Sequence, residues 1–161
     1  MTDIVIRHAE RADAATLHAL IKELAAFERE PESVRSTVAD LESAGWSEQP
    51  RFEAILAEVD GRPAGFALMY PNYSTWEGRA GFYLEDLFVC EWARGHGLGR
   101  RLFEEVARTA VARNCARVDL NVLEWNPARG FYEKLGVRHL KGWVPYRLTG
   151  MALRRLAGKN P

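Results

Sequence analysis

The chain has 161 residues, with 22 Lys or Arg balanced by 22 Asp or Glu, so it carries no formal net charge with histidine neutral. At roughly 150 residues per domain that length predicts a single unit over residues 1–157 with a frayed end at 158–161, and the lack of a basic excess argues against nucleic acid or an anionic membrane as a partner. With 47% apolar and 27% charged residues the chain can bury a core and lies outside the disordered regime. Cys90 and Cys115 form neither a CxxC pair nor a metal-ligand spacing, so no metal is expected and a reducing cytoplasm fits. No apolar run approaches the ~20 residues of a membrane span, and the first residues lack the charged-then-apolar signature of a secretory signal.

Residues 4–7 are a short β-prone run. Asp13 then stands as a candidate N-cap before Leu17, Leu20, Ile21, Leu24 and Phe27, which recur at helical spacing. Val34, Val38 and Leu41 carry a weaker helical pattern that stops near Gly45, with residues 46–50 as loop. Residues 52–59 and 64–70 are apolar-rich runs on either side of Asp60-Gly61-Arg62-Pro63, and Asp-Gly supplies the positive φ of a tight hairpin, so two antiparallel strands should pair there. Residues 71–80 read as an exposed loop carrying Tyr73 and Trp76, and residues 81–89 as a central strand with Glu85 and Asp86 in mid-run. After a Gly-rich turn, Leu98, Leu102, Phe103, Val106 and Ala110 mark a long helix, and residues 118–123 return to strand. Pro127 opens a short helix through Leu135 that Gly136 closes, and residues 143–153 are a last strand candidate. The class is mixed α/β: an antiparallel N-terminal half, a central β-turn-α-β unit and flanking helices.

Arg94-Gly95-His96-Gly97-Leu98-Gly99 falls between a strand and a helix, where small residues let a ligand approach the backbone and the helix's free amides face an anion. A phosphate or pyrophosphate is the natural guest; a tight turn without a ligand is the plain alternative. A Walker A loop is absent, and a dinucleotide fingerprint would need Gly where Arg100 stands, and would follow the first strand rather than a late one.

The Arg94-x-x-Gly97-x-Gly99 segment, after a strand and opening a helix, resembles the pyrophosphate loop of the GNAT superfamily of N-acetyltransferases. The residues before it, Tyr83-Leu-Glu-Asp-Leu-Phe-Val89, and those after it, Glu124-Trp-Asn126 and Phe131-Tyr132-Glu-Lys-Leu-Gly136, resemble the diamine (spermidine/spermine-type) branch in particular, as does Leu20-Ile-Lys-Glu-Leu-Ala-Ala-Phe-Glu28. The resemblance covers nearly the whole chain and implies a GNAT-like mixed sheet, acetyl-coenzyme A as co-substrate, a small-molecule amine acceptor and a homodimer, to which an apolar run at residues 143–153 could add a strand.

It also implies roles. The backbone of Leu87, Phe88 and Val89 would pair with the pantetheine arm as an added strand, and Arg94, Gly95, His96, Gly97, Leu98, Gly99 and Arg100 would hold the pyrophosphate, with Asn126 and Lys134 near the coenzyme. Tyr132 matches the general acid that protonates the departing thiolate. Glu85 would contact the amine and help remove its proton through water, while Phe27, Glu28 and Asp86 would face the acceptor. On a regular strand the adjacent Glu85 and Asp86 point to opposite faces, so both line one pocket only if a bulge intervenes. Two departures stand out. The stretch from Asn126 to Tyr132 is one residue shorter than the common spacing, and Ser74 and Thr75 replace an acid of the polyamine-specific members. A cysteine nucleophile built from Cys90 and His96 is the rival chemistry, and a non-catalytic acyl-coenzyme A sensor is the rival function.

Overall fold

The computed structural model describes residues 2–159; Met1, Asn160 and Pro161 lie outside it, and with them the last two positions of the expected frayed end. Two compact units form, Met1–Asn121 and Val122–Pro161.

In the first unit β1 (Ile4–His8), β2 (Glu53–Val59), β3 (Arg62–Ser74), β4 (Arg79–Val89) and β5 (Val118–Leu120) make one sheet in the order β1-β2-β3-β4-β5. The first three pairings are antiparallel and β4–β5 is parallel. The β2–β3 hairpin turns on Asp60 and Gly61, both at positive φ (50° and 74°), as the two-residue turn requires. Helices α1 (Ala14–Phe27) and α2 (Val38–Gly45) cover one face: Leu17, Leu20, Leu24 and Leu41 are buried together with Leu56, Phe66, Leu68 and Phe88. By strand alternation Ile55, Ala67 and Met69 point the other way, toward α3 (Leu98–Ala112), whose Leu98, Leu102 and Val106 are buried.

Several expectations are corrected. Residues 71–80 are mostly strand: pairing continues from Pro71 opposite Phe82 to Ser74 opposite Arg79, and only a four-residue turn remains, with Trp76 exposed. Pro71 is tolerated because β2 stops opposite Met69, so no ladder partner is lost on the side its nitrogen faces. Asp13 is not the side-chain cap of α1. It accepts from the Glu10 N–H at 2.7 Å and from the Arg7 guanidinium, closing the turn before the helix. Val34 falls outside α2, which Thr37 and Asp40 cap reciprocally. The strand expected over 118–123 ends at Leu120.

The second unit holds α4 (Ala128–Lys134) and α5 (Gly150–Leu156). The expected strand over 143–153 does not form. Pro145 removes a ladder donor, Gly142 and Gly150 adopt positive φ (91° and 58°), and the run ends instead in α5. Gly158 and Lys159 hydrogen-bond back to Arg155 and Arg154.

Candidate active site

One irregularity in β4 builds the site. Asp86 pairs with Leu68 and Leu84 with Met69, so Glu85 is an extra residue with no partner across the ladder. The extra residue inverts the strand. Before it Phe82 and Leu84 share the face of Met69; after it Asp86 and Phe88 share the α1–α2 face of Leu68 and Phe66. Glu85 lies on the same side, close to Tyr70, whose phenol is pushed up by burial and then by the Glu85 charge and whose ring stacks on Tyr83 at 5.3 Å. The conditional expectation is thereby resolved, and both carboxylates lie on one face.

Glu28 borders the same face. It is the first residue past α1, where Arg29 at a φ of 65° turns the chain away. Asp86 is held up to about 7, first by burial and then by the charges of Glu85 and Glu28. Burial also raises Glu28. Among the described residues no donor hydrogen-bonds the Asp86 carboxylate. Three acids therefore converge with no basic partner of their own, which is the electrostatic complement of an ammonium group.

The bulge sets the backbone as well. Cys90 N–H donates to Ala64 O at 2.8 Å, so Cys90 and, two residues back, Phe88 spend their backbone groups on β3. Leu87 and Val89 then direct theirs to the opposite edge, where β5 has already stopped opposite Leu84. The Phe88 backbone is bonded within the sheet, and among the described residues the free edge is formed by Leu87 and Val89. The carbonyl of Val89 is already taken by Arg94 Nε at 3.1 Å.

Past β4 the loop reaches Gly95 and Gly97, at φ values of 84° and 72°, with open space where a Cβ would stand. Gly97 precedes α3 and offers no side-chain cap, so the first amides of a 15-residue helix remain available to an anion. The loop's side chains are engaged elsewhere. His96 Nδ1 donates to the carbonyls of Ala93 and Arg94, Arg100 pairs with Glu104 at 2.7 Å, and the side chain of Leu98 belongs to the core. Arg94 lies with its guanidinium 4.8 Å from the Phe27 ring centre. What this loop presents is its backbone, at Gly95, Gly97 and Gly99. Cys90 is buried, and burial together with Glu23 pushes its thiol up to about 11, which disfavours a thiolate nucleophile. No cluster of three or more metal-ligating side chains occurs among the described residues.

In the second unit, Asn126 Oδ1 accepts from the Ala128 N–H at 2.9 Å and closes the entry to α4, a capping role that sequence reading did not assign. Tyr132 lies on α4, buried, its ring edge-on to Phe131 at 5.1 Å, and Lys134 is exposed at the helix end. The Tyr70–Tyr83 stack also escaped sequence reading; its signal was one aromatic in each of two neighbouring strands, hidden because residues 71–80 read as loop.

An open strand edge leading into a helix N-terminus by way of positive-φ glycines is a geometry that can accommodate an extended, anion-tailed ligand. The acetyltransferase (GNAT) family matches residues 17–137, and the chain belongs to that family; it is an N-acetyltransferase. It is similar to a thialysine N-epsilon-acetyltransferase of Bos taurus, 36% identical over 99% of this chain and 100% of that protein. It is also similar to human spermidine/spermine N(1)-acetyltransferase-like protein 1, 32% identical over 94% of this chain and 23% of that protein. Among solved structures, a Vibrio cholerae integron cassette protein superposes with a TM-score of 0.80 at 26% identity, covering 96% of this chain and 97% of that one.

Two outcomes follow from this geometry. Gly97→Val adds a branched side chain at positive φ beside the helix N-terminus, and calorimetry should show coenzyme affinity lost while the circular dichroism spectrum stays native. Asp86 binds its proton more tightly folded than unfolded, so its stabilising contribution is complete below its unfolded value near 4 and is lost as pH rises through about 7. Asp86→Asn should accordingly unfold at higher urea than the parent at pH 8, by about 2 kcal/mol after discounting the full linkage for residual solvent access, with the gap closing toward pH 4. A gap independent of pH would contradict the burial of this acid.

Proposed function

We propose that the protein moves the acetyl group of acetyl-coenzyme A directly onto a primary amine of a small cationic acceptor, either a lysine-like amino acid or a short diamine. The observation that carries this reading is the bulge at Glu85, because it sets Glu85, Asp86 and Glu28 around one face, which attracts an ammonium and repels acidic acceptors. The relatives' names, a thialysine acetyltransferase and a spermidine/spermine acetyltransferase-like protein, point the same way. Ser74 and Thr75 supply no counter-charge for a further ammonium, and Ser74 is buried with its hydroxyl accepting from the Glu77 N–H. That favours an acceptor shorter than spermine, since an unpaired ammonium pays desolvation that nothing offsets.

The coenzyme's pantetheine arm pairs with the backbone of Leu87 and Val89 and its pyrophosphate with the amides from Gly95 to Arg100, and Asn126 and Lys134 contribute to coenzyme binding. Glu85 takes the ammonium proton through water, the neutral amine attacks the thioester carbonyl, the C–N bond forms and the C–S bond breaks. Tyr132 donates its proton to the departing thiolate and recovers one from the amide nitrogen. Residues 1–157 act as one catalytic domain. Membership in an enzyme family favours this over the sensor reading.

A panel of amines with mass-spectrometric product detection tests the reading. Putrescine and a lysine analogue should be acetylated with higher kcat/KM than spermine; preference for spermine, or for neutral or acidic acceptors, would refute the acceptor class. In the same assay Tyr132→Phe should lower kcat about 10²-fold with coenzyme affinity unchanged. Binding of coenzyme without thiol release for any acceptor would support the sensor instead.

We also propose a homodimer in the cytoplasm. The exposed Trp143, Val144 and Tyr146 offer apolar area for association, and the two free cysteines suit a reducing compartment. Light scattering at micromolar concentration should return twice the chain mass.

A further inference from the structure

Arg94 opens the glycine loop, yet its side chain does not turn into that loop. Its Nε donates to Val89 O at 3.1 Å, and its guanidinium carbon lies 4.8 Å from the centre of the Phe27 ring and 5.9 Å from that of Phe88. The two rings are themselves neighbours, tilted by 51° at 6.4 Å. One side chain therefore touches three parts of the first unit: the end of the free β4 edge, the strand face that carries Asp86, and the last residue of α1.

We propose that Arg94 is a positioning residue that fixes the end of α1, and with it Glu28, against the coenzyme edge, so that its contribution falls on the acceptor rather than on the coenzyme phosphates. This rests on the acceptor reading given above for Phe27 and Glu28. The backbone explains why a fixing group is needed there. The chain leaves α1 through Glu28 and turns sharply at Arg29 in the left-handed region, so the orientation of the last helical turn decides where the Glu28 carboxylate stands. Arg94 ties that turn to β4 by cation–π contact with Phe27. It also occupies the last carbonyl of the free edge, so an arm pairing along β4 finds the N–H and C=O of Leu87 and the N–H of Val89, and its register ends there. Arginine suits both tasks together, since a planar guanidinium can lie over a ring while Nε donates in its own plane; a lysine ammonium can do one or the other.

The variants Arg94→Ala, Arg94→Lys and Phe27→Leu, with the double variant Arg94→Ala/Phe27→Leu, test this through steady-state kinetics with putrescine and a lysine analogue and through calorimetry with coenzyme A. Each single variant should raise acceptor KM about tenfold and leave the coenzyme Kd within about threefold, and the double variant should be no worse than the worse single one, because both break one contact. Thermal melting reports folding, and if Arg94→Ala melts early, Arg94→Gln replaces it, keeping an N–H for Val89 without the charge over the ring. A coenzyme Kd raised tenfold with acceptor KM unmoved would make Arg94 a phosphate ligand and overturn the proposal. Full rescue by lysine, additive effects in the double variant, or unchanged KM in all variants would overturn it too. A parent enzyme that acetylates no amine in the panel removes the acceptor reading and this one with it; an active parent with unmoved variants removes this one alone.

Discussion

The site depends on one unpaired residue in a central strand. A regular β4 would carry Phe82, Leu84, Asp86 and Phe88 on one face, placing Asp86 and Phe88 on the α3 side or else Phe82 and Leu84 on the α1–α2 side. The extra residue at Glu85 divides the strand into two halves of opposite facing, each consistent with its own apolar partners: Phe82 and Leu84 on the α3 side, Phe88 on the side of Leu20 and Leu24. The acids occupy the joint. They share one face because the inversion happens at that point.

The same joint ends the sheet. Up to Leu84 the backbone of β4 serves β5; beyond it the free groups belong to Leu87 and Val89, and β5 has no further residue opposite them. An edge left open inside a folded unit is an invitation to pair, which proteins ordinarily block. Here it runs straight into a loop whose Gly95 and Gly97 hold positive φ and leave amides exposed at the start of α3. The open edge and the exposed amides therefore follow one another along a continuous stretch of backbone, from Leu87 to Gly99. The loop's two arginines have partners within the unit: Arg100 bonds Glu104 and Arg94 bonds Val89.

Much of the fold could be read from period and punctuation. The Asp60-Gly61 turn, the α3 stripe of Leu98, Leu102 and Val106, and the helix between Pro127 and Gly136 all announce themselves locally. Residues 71–74 and 79–80 did not, because beyond Met69 the hairpin has a partner on one side only and its residues read as polar loop. Residues 143–153 failed in the opposite sense: apolar composition suggested a strand, while Pro145 and two positive-φ glycines prevented one. The glycine loop was legible as a motif, with the roles of its side chains invisible. Whether Glu85 and Asp86 face together could not be decided from adjacency, since a bulge is a property of the register between two strands and leaves no mark in either alone.

Clustering Glu28, Glu85 and Asp86 has a thermodynamic consequence that bears on how the acceptor is chosen. A carboxylate raised toward 7 by burial and two like charges is costly to ionise in the folded protein, and no described donor relieves it. In the proposed acceptor site an ammonium entering beside it would relieve that repulsion. A neutral or acidic molecule of the same shape would give no such relief. The amine must nevertheless lose its proton before it attacks, and the charges that attract the cation also raise its pKa. The resolution lies in placement. Asp86 is the half-buried member and Glu85 the exposed one, so in the proposed mechanism the amine's proton leaves through Glu85 and water while Asp86 stays beside the cation.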